Sequence, residues 1–209
     1  MRKLKIYLFL LLTIVTSLAC AQNTTSTTTK ILVMGDSLSA GYAIDIQQGW
    51  VNLLEREITK KHAVQIINAS VSGETSSGGN TRLPALLIEH QPNIVILELG
   101  GNDALRGQPL NLLEKNLQTM IDASKKTGAK VLLAGMQIPP NYGPRYSNQF
   151  KALYVQLAEK NQAALIPFLL EGIGGNADLV QRDGIHPTAE AQSIIVRNVQ
   201  PELEKLLQQ

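Results

Sequence analysis

Lys30-Ile31-Leu32-Val33-Met34-Gly35-Asp36-Ser37-Leu38-Ser39-Ala40-Gly41-Tyr42 is a short apolar run that breaks into a turn carrying a serine. A run this short and continuously apolar predicts a strand buried on both faces, as in a parallel sheet. Four similar runs follow, at Val64 to Asn68, Ile94 to Leu99, Lys130 to Ala134 and Ala164 to Phe168. Between them, Trp50 to Thr59, Leu83 to Glu89, Leu110 to Lys126 and Tyr146 to Glu159 repeat their apolar residues at helical spacing. A last helix is expected to begin near Pro187, because proline suits a first helical position, and to run to about Leu207. Strictly alternating strands and helices predict an α/β sandwich built on a five-stranded parallel sheet.

Ligands of such sheets gather at the carboxyl ends of the strands. The polar loops of this chain fall there. Gly35-Asp36-Ser37 follows the first strand, Ser70-Val71-Ser72-Gly73-Glu74-Thr75 the second, Gly100-Gly101-Asn102-Asp103 the third, and Asp183-Gly184-Ile185-His186-Pro187 comes after the fifth. These loops hold a hydroxyl nucleophile, an imidazole base, a carboxylate three residues before it and further N–H donors, the parts of serine-type acyl transfer.

Each part also has an ordinary reading. Ser37 can cap a helix, Asp183 can cap a helix before Pro187, Gly73 can be a turn glycine, and Asn102 can close an Asx-turn. In the chemical reading Ser37 attacks, His186 takes its proton and Asp183 fixes the imidazole tautomer. The Ser37 and Gly73 N–H groups and the Asn102 amide would then stabilise an oxyanion. Asp36 is assigned to local hydrogen bonding of its loop. A base of this kind has to be neutral, and free imidazole titrates near ~6.5.

The N-terminus reads as an export signal. Arg2, Lys3 and Lys5 precede an apolar stretch from Leu8 to Ala19, and Ala19-Cys20-Ala21 offers a small-residue cleavage site at residues 1–21. The stretch is short of the about 20 uninterrupted apolar residues of a membrane span. Lipid attachment at Cys20 is disfavoured because Ser17 stands where a large aliphatic residue is usual. Residues 22–29 form a polar, Thr-rich leader with nothing to bury, and residues 30–209 form one domain.

The whole chain carries 19 basic and 17 acidic side chains, net +2. The signal holds Arg2, Lys3 and Lys5 and no acid, so the exported chain has one acid more than it has bases. With that balance and few aromatics, a nucleic-acid partner is not expected. Cys20 is the single cysteine and the three histidines are far apart, so neither a disulfide, a thiol nucleophile nor a metal centre is expected.

The four loops together resemble the GDSL/SGNH hydrolase superfamily, whose marker residues match Ser37, Gly73, Asn102 and His186. The resemblance is nearest to the bacterial multifunctional thioesterase I / lysophospholipase L1 / arylesterase group, and it runs from about Lys30 to the C-terminus. Pro139-Pro140-Asn141-Tyr142-Gly143 also resembles that group, while Ala43 stands where glycine is frequent. The resemblance implies a flavodoxin-like three-layer α/β/α fold and an exported, periplasmic or secreted monomer without a cofactor. It further implies small acyl ester or lysophospholipid substrates, with Leu38, Leu105, Ile138, Pro139 and Tyr142 beside the acyl chain. Arg106 would meet a polar head group or cap a helix. The alternatives are a carbohydrate acetyl esterase on the same fold, against which the scarcity of aromatic sugar platforms argues, and a lipid-binding protein without activity. A flavodoxin-like module binding flavin is disfavoured because no Gly-rich phosphate-binding pattern is present.

Overall fold

The computed structural model describes residues 28–208. The expected export signal, Cys20 and most of the Thr-rich leader lie outside the described residues. Strands β1 (Thr29–Gly35), β2 (Val64–Asn68), β3 (Ile94–Glu98), β4 (Lys130–Ala134) and β5 (Ala164–Ile166) form one sheet in the order β2-β1-β3-β4-β5. Every neighbouring pair is parallel. β1 begins at Thr29, so the last residue expected in the leader pairs with Val64.

Side chains from Ile31 to Met34 and from Ile94 to Leu97 are buried, which is the reason these runs carry no polar alternation. Helices α2 (Trp50–Ile58) and α7 (Gln192–Leu207) pack together over one face. Helices α3 (Ser76–His90), α5 (Leu110–Lys126) and α6 (Pro144–Asn161) cover the other. The result is the expected three-layer α/β/α sandwich. From β1 the chain steps outward to β2, then returns past β1 to β3. The order therefore reverses between β1 and β3, and the crevice at their carboxyl ends is where open α/β sheets bind ligands.

Three boundaries differ from expectation, each for a physical reason. Helix α3 starts at Ser76 rather than near Leu83, capped by Thr75, whose hydroxyl accepts from the Gly78 N–H at 3.3 Å. Gly78 and Gly79 are poor helix formers and conceal this first turn in the sequence. Gly79 belongs there because a Cβ would overlap the Leu99 side chain. Strand β5 stops at Ile166 because Pro167 has no N–H to continue the ladder. Helix α7 starts at Gln192, since Pro187 forms an antiparallel bridge with Val180 instead of a first helical turn.

Two short helices that the periodicity does not reveal, α1 (Ser37–Ala40) and α4 (Gly101–Leu105), follow β1 and β3 directly. Ala43 has φ of 55°, a left-handed conformation that glycine takes at lower cost.

Gly79→Ala should lower unfolding free energy by about 1–3 kcal/mol, the usual range for overpacking a close contact. Urea denaturation read by circular dichroism checks this, and an unchanged midpoint would show that the helix moves away freely.

Candidate active site

Asp36 is the N-cap of α1, its carboxylate accepting from the Leu38 N–H at 3.0 Å. Ser37 is therefore the first helical residue and not the cap. Its Oγ lies 2.8 Å from His186 Nε2. On the far side of the ring, His186 Nδ1 is 2.6 Å from Asp183 Oδ2.

The Asp183 carboxylate also accepts from the N–H groups of Ile185 at 2.9 Å and His186 at 3.0 Å. The His186 backbone N–H, then its ring, then the Ile185 N–H pull the Asp183 pKa down to about 2. A carboxylate that only accepts puts the imidazole proton on Nδ1, which leaves Nε2 to accept from the Ser37 hydroxyl.

The His186 loop is held by a short antiparallel pairing. Gln181 N–H donates to His186 O at 2.7 Å and Thr188 N–H to Leu179 O at 2.9 Å. Gln181 Nε2 bonds both Tyr42 O and Pro187 O, tying this loop to the one after α1. The Tyr42 ring lies against the imidazole with centroids 4.4 Å apart.

The Asn102 side chain sits at the start of α4, where its amide Nδ2 donates to Asp36 Oδ2 and to Glu74 O, each at 3.0 Å. Both amide hydrogens thus have acceptors, so a further oxygen would have to share one of them. Gly73 has φ of 79°, and its carbonyl accepts from Arg106 Nη2 at 3.1 Å. Arg106 accordingly braces the Gly73 loop across to the end of α4.

Beneath these loops, Asp103 accepts from the Ser76 N–H at 2.8 Å and its hydroxyl at 2.5 Å, and Asn116 Nδ2 bonds the same hydroxyl at 3.0 Å. This buried group joins the Gly73 and Asn102 loops.

A cavity of about 500 Å³ opens beside Ser37 and His186. Leu38, Leu105, Ile138 and Pro139, which the resemblance puts beside an acyl chain, line it. Met136, Phe168, Leu170, Val180 and Ile185 complete its apolar wall. Met136 and Phe168 come just after β4 and β5, a position that marks them as rim residues. Gly73 and Tyr142 lie outside this lining. Tyr142 sits on a short 3-10 turn, 39% exposed, with its hydroxyl directed to Leu105 O at 3.5 Å.

The residue that sequence reasoning passed over is Glu98. It ends β3 fully buried, accepting on Oε2 from the Asp36 N–H at 3.1 Å and the Ser39 hydroxyl at 2.7 Å. Burial, then the charge of Asp36, push the Glu98 pKa well up. Burial also raises Asp36 to about 6, although the Leu38 N–H, His186 and Asn102 pull the other way. Among the described residues no group of three His, Cys, Asp or Glu side chains is arranged to hold a metal ion.

A serine, imidazole and carboxylate in hydrogen-bonded sequence on an α/β sheet define the class of serine-type hydrolases. Residues 33–194 match the profile of the GDSL-like Lipase/Acylhydrolase family. The chain belongs to this family and is a hydrolase of ester bonds.

It is 46% identical over 208 residues to esterase TesA of Pseudomonas aeruginosa, covering 99% of this chain and 100% of that protein. It is 40% identical over 199 residues to the Escherichia coli K12 thioesterase 1/protease 1/lysophospholipase L1, covering 95% of this chain and 92% of that one. The crystal structure of the psychrotrophic esterase EstA from Pseudoalteromonas sp., inhibited by monoethylphosphonate, is similar with a TM-score of 0.82 and 40% identity. That match covers 86% of this chain and 99% of EstA.

The raised Asp36 pKa sets a pH dependence of stability. Between the ordinary 3.8 and the folded value of about 6 the native state holds a proton that the unfolded chain has lost. Asp36 therefore contributes stability that falls as pH rises through that window, by on the order of 3 kcal/mol. Asp183 titrates below it. Glu98, whose pKa is also raised by burial and by Asp36, adds to this fall above its ordinary 4.5. Asp36→Asn should therefore make the fall in melting temperature between pH 4 and 6 shallower without abolishing it; a slope equal to the wild type's would contradict the assignment.

Proposed function

We propose that the chain is an exported serine esterase that cleaves acyl esters and thioesters through an acyl-enzyme on Ser37. The observation that carries this reading is the continuous chain Ser37–His186–Asp183, with spacings of 2.8 and 2.6 Å. In the reaction Ser37 Oγ attacks the substrate carbonyl carbon while its proton passes to His186 Nε2. Asp183 holds the ring in the required tautomer and stabilises the imidazolium.

The negative charge that forms on the carbonyl oxygen is met by the Ser37 and Gly73 N–H groups and the Asn102 amide. Collapse returns the proton from His186 to the departing alkoxide or thiolate and leaves the acyl group on Ser37. Water then attacks the acyl-enzyme, gives its proton to His186, and the acid leaves as Ser37 is reprotonated.

An apolar cavity of about 500 Å³ is much larger than an acetyl group requires. Leu38, Leu105, Ile138 and Pro139 are assigned to the acyl chain, and Tyr142 to the rim where the rest of the substrate leaves. This supports medium or long acyl groups, including lysophospholipids and acyl thioesters, over a carbohydrate acetate. The relatives' names, esterase and thioesterase 1/protease 1/lysophospholipase L1, point the same way. Export rests on the basic, then apolar, then small-residue pattern of residues 1–21.

A fluorophosphonate should attach to Ser37 with loss of activity, as read by peptide mass spectrometry, and Ser37→Ala should be unlabelled and inactive. A labelled, active Ser37→Ala would overturn the mechanism. In a series of p-nitrophenyl esters from acetyl to palmitoyl, kcat/KM should peak at a medium or long chain. Fastest turnover of acetyl would favour the carbohydrate esterase.

A further inference from the structure

Glu98 takes no part in the chemistry above, yet it is fully buried directly beneath the serine turn. We propose that Glu98 is a positioning residue for Ser37, its Oε2 holding the chain on both sides of the nucleophile at once. One bond comes from the Asp36 N–H, immediately before Ser37, and the other from the Ser39 hydroxyl, two residues after it. Asp36, Ser37 and Ser39 are all at most 9% exposed, so water does not compete for these bonds.

The sheet enforces the contact, because Gly35 and Glu98 are register partners in β1 and β3. A Cβ on Gly35 would come within 2.6 Å of Glu98 Oε2 and 2.7 Å of Ser39 Oγ. The glycine thus lets the carboxyl reach the turn. Oε1 is buried without a hydrogen-bond partner, an arrangement far costlier for a carboxylate than for a neutral acid. The Asp36 carboxylate lies close enough to disfavour a second charge there. Glu98 therefore works as a neutral acid, with Oε2 as its carbonyl oxygen and the proton on Oε1.

Neutrality makes the role testable. In Glu98→Gln the amide oxygen can keep both bonds without any change of charge, whereas Glu98→Leu removes both. The inference rests on Ser37 being the nucleophile. The readout is the second-order rate of fluorophosphonate labelling at Ser37, together with kcat, KM and the pH profile of kcat/KM.

Glu98→Leu should slow labelling and lower kcat by about 10²-fold with KM little changed, the scale of a small misplacement of reacting groups. Glu98→Gln should retain at least roughly a third of the wild-type rates, with the acid limb of kcat/KM unmoved. Ser39→Ala, which deletes one bond, should slow labelling several-fold and carries the test should Glu98→Leu not fold.

Wild-type label on a residue other than Ser37 would overturn the underlying mechanism. Label on Ser37 that forms as fast in Glu98→Leu or Ser39→Ala as in the wild type would overturn the role of Glu98 alone. A folded Glu98→Gln as slow as Glu98→Leu, or with a displaced acid limb, would also overturn it.

Discussion

Strands β1 and β3 pair in a register that sets Gly35 beside Glu98, and the serine turn takes its shape from that one contact. A parallel sheet positions the ends of its strands well, but it leaves the first residues beyond them free to turn in several ways. Here the turn after β1 is closed by three bonds. Two run to Glu98 Oε2, and the third runs from the Leu38 N–H to Asp36. The last also caps the short helix that presents Ser37. The pairing lies at the reversal of strand order, so Asn102 at the end of β3 arrives beside Asp36 without any long loop to carry it.

Three carboxyl groups near Ser37 are separated by their surroundings. Asp183 is 37% exposed at its side chain and accepts three hydrogen bonds, and its pKa falls to about 2. Asp36 is buried and rises to about 6, while Glu98, deeper still, is pushed well up. The charge thus resides on the solvent-facing side of the imidazole, where an imidazolium would need it. Beneath the serine the acids serve as hydrogen-bond acceptors for the turn. Residue type alone does not separate these roles, since all three are carboxylic acids; desolvation and donor count do.

That difference explains what could be read before the structure. The five strands were legible because burial on both faces removes polar residues from their interiors, and α5 matches its expected bounds because its apolar face repeats cleanly. Ser37, Asp183 and His186 were legible as residue types at strand ends. Glu98 was not, because one acid within Ile94 to Leu99 looks like the edge of an apolar run, and only the register reveals that it faces the serine turn. The first turn of α3 was hidden by Gly78 and Gly79, two poor helix formers, of which Gly79 is required by close packing against Leu99. Pro187 misled in the opposite sense, its local preference for a helix start being overridden by the pairing of Val180 with it. Tyr142 was read beside the acyl chain but lies outside the cavity lining, since a side chain on a short turn is directed by its contacts, here toward Leu105 O.

The loops that carry Gly73 and Asn102 are set by side chains more than by the sheet. Asp103 receives both the N–H and the hydroxyl of Ser76, and Arg106 reaches the Gly73 carbonyl, so α4 grips the start of α3 at two points. The amide of Asn102 closes the same gap through Glu74 O. This bracing fixes the separation of the two loops before any substrate arrives, which is the condition for preorganised stabilisation of a developing charge. It also carries a cost, because the Asn102 hydrogens already have partners. A neutral carbonyl oxygen competes poorly with Glu74 O for one of them. An oxyanion, a stronger acceptor, competes well. In the proposed mechanism, where Asn102 serves the oxyanion, the shared amide would therefore favour the transition state over the bound ester, the kind of difference that accelerates a reaction.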